Sequence, residues 1–132
     1  MKNILRIILA TVLLLTTGIA MAGVSAPLST PELKQTIGTN GKATLVFFQN
    51  PYGGPCKAQK VVLDKLQQSR KNGFNIVGVN AMNQNDQKAF YDYGVRSLPS
   101  LVLVDKSGKI SRVFPPGIQN LETLASALDG LK

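Results

Sequence analysis

The sequence predicts an α/β domain, with a central mixed sheet of about four strands flanked by helices. Three observations lead there. Apolar runs at 43–48, 74–79 and 101–104 have the length and density of buried strands. Stretches with helical spacing lie before, between and after them. A turn at Lys106-Ser107-Gly108-Lys109 then leads directly into another short stretch, Ile110 to Phe114, as a return strand does. The resulting order is α-β-α-β-α-β-β-α. Its alternating units imply parallel strands with crossover helices, and the Gly108 turn adds an antiparallel edge.

Each element has its own signal. Ser29-Thr30-Pro31-Glu32 predicts a helix start, with Ser29 as the cap, Glu32 completing a capping box and Pro31 tolerated in the first turn. Leu33 and Ile37 give its apolar side, Gly38 ends it, and Asn40-Gly41 marks a turn. Ala43 to Phe48 is apolar almost throughout, as in a strand buried on both faces. A helix then begins near Pro55 with Ala58, Val61, Val62, Leu63 and Leu66 at helical spacing, and ends near Asn72-Gly73. Phe74 to Val79 predicts a second buried strand. The polar run Asn83 to Asp86 caps a helix through Tyr93, closed by Gly94. Leu101 to Val104 is the third strand. After the hairpin, Pro115-Pro116-Gly117 breaks the chain. Leu121, Leu124, Ala125 and Leu128 mark a closing helix with Asn120 as its cap.

The chain has 132 residues, enough for one domain. Its first 22 residues have the layout of a secretory signal peptide. Lys2 and Arg6 precede an apolar run from Ile7 to Leu15, and Ala20-Met21-Ala22 is an A-x-A site before Gly23. That run is short of the ~20 residues a span requires, so cleavage is expected over anchoring. Membrane contact would be confined to this segment before cleavage. The folded domain is then 23–132, exported, with the bacterial periplasm as the expected compartment and secretion otherwise. The formal net charge of +8 falls to +6 once Lys2 and Arg6 are gone. The remaining basic residues are scattered, as on a solvated surface, and no nucleic-acid partner is expected.

Cysteine and histidine usage narrows the chemistry. Cys56 is the single cysteine and there is no histidine. An internal disulfide cannot form, a Cys–His nucleophilic pair is excluded, and neither a transition-metal site nor a cofactor is expected. Cys56 lies in Asn50-Pro51-Tyr52-Gly53-Gly54-Pro55-Cys56-Lys57, where the first strand hands over to a helix. A helix N-terminus favours a thiolate there, while burial favours the thiol. The alternative role for Cys56 is that of a small buried hydrophobe.

Two stretches together resemble the thioredoxin family. Thioredoxins carry W-C-G-P-C-K between a strand and a long helix, where this chain has Tyr52-Gly53-Gly54-Pro55-Cys56-Lys57. They also carry a cis-proline before a strand, in a context like Y-G-I-R-G-I-P-T-L. Here Tyr93-Gly94-Val95-Arg96-Ser97-Leu98-Pro99-Ser100-Leu101 matches it almost position for position, and Gly117 matches the glycine after the final hairpin. The resemblance covers nearly all of 23–132. It implies a thioredoxin fold, a cis Leu98–Pro99 bond beside Cys56, and a groove there in which backbone pairs with an extended substrate peptide. Tyr52, Gly54, Pro55, Leu98 and Pro99 would line that groove, and Pro115-Pro116 would add apolar contact.

The departures from the family pattern are equally specific. The nucleophilic cysteine falls at Gly53, and Cys56 stands at the position of the resolving thiol. The buried aspartate of thioredoxins falls at Phe47, and its lysine neighbour at Gly78. Dithiol–disulfide exchange needs two sulfurs, so catalysis through this turn would be impaired. The enzyme assignment therefore hangs on position 53. Removing the side chain at 53 would also leave the Cys56 sulfur more accessible than its family counterpart. Two readings follow. One is an exported thiol–disulfide oxidoreductase relative without its nucleophile, with a substituted copy of an active C-G-P-C protein as its sub-case and protein thiols or disulfides as partners. The other is a non-catalytic module that holds an extended peptide beside Pro99. A monothiol glutaredoxin-like role is set aside, because those relatives keep the first motif cysteine and not the last.

Overall fold

Pro31 opens the first helix, α1 (Pro31–Thr36), because its ring suits the first turn, where an N–H has no partner to lose. The structure, a computed structural model, describes residues 22–131; the signal peptide lies almost wholly outside them. The cap of α1 is Thr30, whose hydroxyl accepts the Leu33 N–H at 3.2 Å. This corrects the expectation of Ser29. The Ser29 hydroxyl instead donates to Asp92, 63 positions along the chain, at 2.6 Å.

Strand β1 (Thr44–Gln49) is buried over its first five residues, as expected of a central strand. Helix α2 (Gly54–Ser69) follows. Its end is set by Lys71 and Asn72, both at positive φ, which turn the chain into β2 (Asn75–Asn80). A 3₁₀ turn (Gln84–Asp86), capped by Asn83, runs into α3 (Gln87–Asp92). Then come β3 (Ser100–Val104), β4 (Ile110–Val113) and α4 (Leu121–Asp129). Asn120 caps α4 by accepting the Thr123 N–H at 2.8 Å.

The four strands form one mixed sheet in the order β2-β1-β3-β4. Only β1 and β2 are parallel; β3 runs antiparallel to β1, and β4 antiparallel to β3. The sequence expectation of a parallel third strand is therefore corrected. A six-residue helix such as α3 rises only ~9 Å. That is too short to carry the chain back along a strand of ~20 Å, so the chain turns and re-enters the sheet from the same end. A second correction concerns β2. It is an edge strand, buried fully only at Val77 and Val79 on one face, with Ile76 partly buried on the other.

Alternating β1 residues serve two cores. Val46 and Phe48 face α1 and α3, in a cluster with Leu33, Ile37, Val79, Ala89, Tyr93 and Val102. Leu45 and Phe47 face α2 and α4, with Leu63, Leu66, Leu101, Leu103 and Leu124. This period of two lets one strand hold helices on both sides of the sheet. Tyr93 adds a polar tie: its buried hydroxyl donates to the Pro27 carbonyl at 2.8 Å, and burial pushes the phenol far above its usual range.

Two surface carboxylates tie loops to this frame. Lys88 and Ser29 both bond Asp92 and hold its carboxyl below the usual range. At Asp105, desolvation works the other way but is outweighed by bonds from the Ser107 hydroxyl and the Ser107 and Lys109 N–H groups, so this carboxyl is lowered too. A folded-state value below the unfolded one stabilises above the unfolded value and is lost as pH falls through the folded value. Acid titration should therefore destabilise the domain below the ordinary carboxylate range. Replacing both residues with Asn should flatten that limb of the melting curve against pH, and an unchanged limb would contradict the assignment.

Candidate functional site at the β1–α2 turn

Asn50 builds the turn that presents the motif. Its side-chain oxygen accepts the Tyr52 N–H at 3.0 Å, its carbonyl accepts the Gly53 N–H at 3.0 Å, and its own N–H points at the Cys56 sulfur at 3.4 Å. One Asn thus closes both a side-chain and a main-chain turn, a use to which Asn is suited. Gly53 is the N-cap of α2, with φ −78° and ψ 133°, and its carbonyl accepts the first helical bond, from the Lys57 N–H at 3.0 Å. This backbone is ordinary for any L-residue, so glycine is not required there by conformation.

Space at position 53 is equally permissive. A Cβ added to Gly53 would sit 3.7 Å from the Cys56 sulfur and 3.4 Å from the Asn50 carbonyl oxygen. Both are ordinary van der Waals contacts. A side chain there would begin beside the Cys56 sulfur.

Cys56 is only 3% exposed. The sulfur is therefore shielded in this structure, although no side chain stands at 53. The sulfur lies against the turn, which is folded back through Asn50. Tyr52 is the opposite case, 78% exposed. Gly54 and Pro55 are also exposed, while Gly53 is half-buried.

The Pro99 loop lies at the same end of the sheet. Ser100 pairs with Phe48, so Pro99 enters β3 where Gln49 and Asn50 leave β1. The Leu98–Pro99 peptide bond is cis. Pro99 is buried, and Leu98 is half-buried against the Phe48 core. The Ser100 hydroxyl donates to the Ser97 carbonyl at 2.6 Å, and the Gly117 N–H donates to the Pro99 carbonyl at 3.0 Å. Gly117 has φ +110°, a backbone that favours glycine. Pro115 and Pro116 are exposed beside it.

Phe47 and Gly78 are register partners on β1 and β2. Phe47 is 3% exposed in an apolar cluster, so this position holds no carboxyl to exchange a proton with Cys56. Among the described residues, no group of three or more His, Cys, Asp or Glu side chains is placed to hold a metal ion, and no helix is long and apolar enough to cross a membrane. A cavity of about 570 Å³ opens at the other end of the sheet, among Lys42, Arg70, Phe74, Asp105 and Leu128, and shares no residue with the Cys56 turn.

Sequence reasoning did not assign Asn50 or Gln59 a role. Asn50 carried a usable signal, a turn-forming residue at a strand end. Gln59 carried none: a polar residue on a helix gives no sign that its partner lies 60 positions away.

Comparisons with known proteins agree with this architecture. The sequence model of the Thioredoxin family matches residues 24–129. Thioredoxin 1 of Synechococcus elongatus is 30% identical over 106 residues, covering 80% of this chain and 95% of the relative. Thioredoxin 1 of Nostoc is 30% identical over 105 residues, covering 80% and 94%. Among solved structures, Fasciola hepatica thioredoxin superposes with a TM-score of 0.57 at 22% identity, over 70% of this chain and 83% of that one. The structure of MTB dsbF in mixed oxidized and reduced forms gives 0.60 at 19% identity, over 70% and 82%. The four-stranded mixed sheet with helices on both faces is a thioredoxin fold, and the chain belongs to the thioredoxin family.

Proposed function

We propose that this chain is an exported member of the thiol–disulfide oxidoreductase family that lacks the nucleophilic thiol and is therefore impaired in dithiol–disulfide exchange. The observation that carries this reading is the pairing of Gly53 with Cys56. A Cβ at 53 would lie 3.7 Å from the sulfur, in a turn whose shape suits a cysteine, yet the side chain is missing. Exchange needs one thiolate to attack a substrate disulfide and a second to release the mixed disulfide. Cys56 alone, 3% exposed, is poorly placed for the first step and has no partner in this chain for the second.

Export is supported by Lys2, Arg6, the apolar run Ile7 to Leu15 and Ala20-Met21-Ala22. It is also supported by Gly23, whose N–H donates to the Ile110 carbonyl at 2.7 Å, so pairing with the sheet edge begins directly after the A-x-A site. Protein recovered from a bacterial envelope fraction should start at Gly23 by N-terminal sequencing; an intact Met1 would count against export.

A second reading is a non-catalytic module that binds extended peptides beside Pro99. The 78% exposed Tyr52, at the same end of the sheet as Pro99, favours it. Two variants separate the readings. Gly53→Cys tests whether the turn supports exchange once the second sulfur is supplied. Cys56→Ser leaves a peptide-binding module with its partner, and removes any mixed disulfide from a thiol-dependent one.

A further inference from the structure

Gln59 is fully buried, at 0% exposure, one helical turn beyond Cys56. Its side-chain amide holds both main-chain groups of a single residue. Nε2 donates to the Gln119 carbonyl at 3.0 Å, and the Gln119 N–H donates to Oε1 at 2.6 Å. That is the pairing a β-strand would offer, supplied here by one side chain. The loop it grips is gripped again from within, since Gln119 Nε2 donates to the Pro115 carbonyl at 2.9 Å. Two residues before Gln119, the Gly117 N–H bonds the Pro99 carbonyl at 3.0 Å. A continuous chain of bonds thus runs from the helix that carries Cys56, through the 115–119 loop, to Pro99.

We propose that Gln59 is a positioning residue for the groove beside Pro99. It fixes the 115–119 loop to α2, so that Gly117 stays on the Pro99 carbonyl and the groove and the Cys56 turn are held in one frame. The inference rests on the reading of that groove as the peptide-facing surface and deepens it by naming what sets its shape. A buried amide is costly to leave unpaired, and the full use of both its donor and its acceptor on one main-chain residue is what makes it a clamp. Leucine fills similar space but cannot hold Gln119 at either end. Glutamate can do so only as the neutral acid, which both donates and accepts; as a carboxylate it would face the Gln119 carbonyl with like partial charge.

Two measurements decide the matter. The first is amide hydrogen exchange in the natural chain. In Gln59→Leu, Gly117 and Gln119 should exchange about tenfold faster, while Val102 in β3 is unchanged, as expected for loss of a local bond pair. In Gln59→Glu, protection of Gly117, corrected for intrinsic rate, should match the natural chain at acid pH and fall as pH rises and the buried acid ionises. The second is reduction of insulin disulfides in the Gly53→Cys background. Adding Gln59→Leu should raise KM about tenfold with kcat little changed, the split expected when binding geometry is lost. Unchanged Gly117 exchange overturns the proposal. So does a fall confined to kcat with all amides exchanging faster together, which would make Gln59 a stability residue only. If Gly53→Cys alone is inactive, the exchange reading of the turn fails, and the Gly117 measurement in the natural chain still decides the role of Gln59.

Discussion

Gly53→Cys should turn this chain into a working dithiol–disulfide reductase. With a dithiol reductant present, it should reduce insulin disulfides about a hundredfold or more above the natural chain, because a single-thiol protein stops at the mixed disulfide. The physical basis is local. The φ of −78° at position 53 suits any L-residue, so the substitution carries no backbone strain. The new Cβ meets only ordinary contacts, with the Cys56 sulfur at 3.7 Å. The introduced thiol sits at the N-cap of a 16-residue helix, where partial positive charge and unpaired N–H groups favour a thiolate. That thiolate attacks the substrate disulfide and releases one substrate thiol. The Cys56 sulfur then attacks the mixed disulfide, releases the second thiol and leaves an internal disulfide. Both substrate sulfurs are reduced, both protein thiols are oxidised, and the added reductant restores the dithiol. Gly53→Ser is the control, because it restores bulk without sulfur. Equal activity in the Ser and Cys variants, or none in the Cys variant, would sink the proposal that Gly53 is what limits exchange. The apolar environment at Phe47 should leave the rebuilt enzyme without a buried carboxyl to take up protons near the sulfur.

Phe48→Ala should cost about 3–5 kcal/mol, among the largest losses any single truncation here can produce. Phe48 is fully buried, at 0% exposure. Its ring lies 5.3 Å from Phe90 in an edge-on arrangement and 5.2 Å from Tyr93. Such pairs add to the burial itself. The ring also joins the central strand to α3. Against a total of ~5–15 kcal/mol, the variant would be marginal. Its melting temperature should fall by roughly 10–20 °C. Tyr91→Ala provides the comparison, since Tyr91 is 87% exposed and should change stability by about 0.5 kcal/mol or less. If the two variants melted together, the core assignment would be wrong. A functional consequence follows from chain order. Phe48 lies two residues before Asn50, which holds both the turn and the Cys56 sulfur. Thiol labelling of Cys56 should therefore accelerate in Phe48→Ala, and a rate equal to that of the natural chain would separate the core from the site.

The elements that sequence reading placed well are those governed by local rules. Asn120 caps α4 because a short polar side chain there reaches the Thr123 N–H from within its own segment. Gly94, Gly108 and Gly117 fall where φ is positive, as turn chemistry requires. Buried strands announce themselves by apolar density, so β1 and β3 were legible, although β2 has similar composition and lies at an edge. The capping residue of α1 was misread because two adjacent hydroxyls can both cap. Ser29 is taken by Asp92, a residue distant in sequence, and Thr30 is left for the helix.

The opening turn shows the same division. Sequence alone determined that the turn holds one sulfur, Cys56, that no imidazole can assist it, and that Phe47 and not an acid stands in the strand before it. These are facts of residue identity, and no folding can alter them. Tertiary structure decided the rest: the direction of β3, the burial of Cys56 beneath a turn folded back through Asn50, and the bonds of Gln59 to Gln119 in the 115–119 loop. Each depends on which distant segments meet, and that is set by the lengths of the connections and the packing of two cores on one sheet, which residue type and spacing do not encode by themselves.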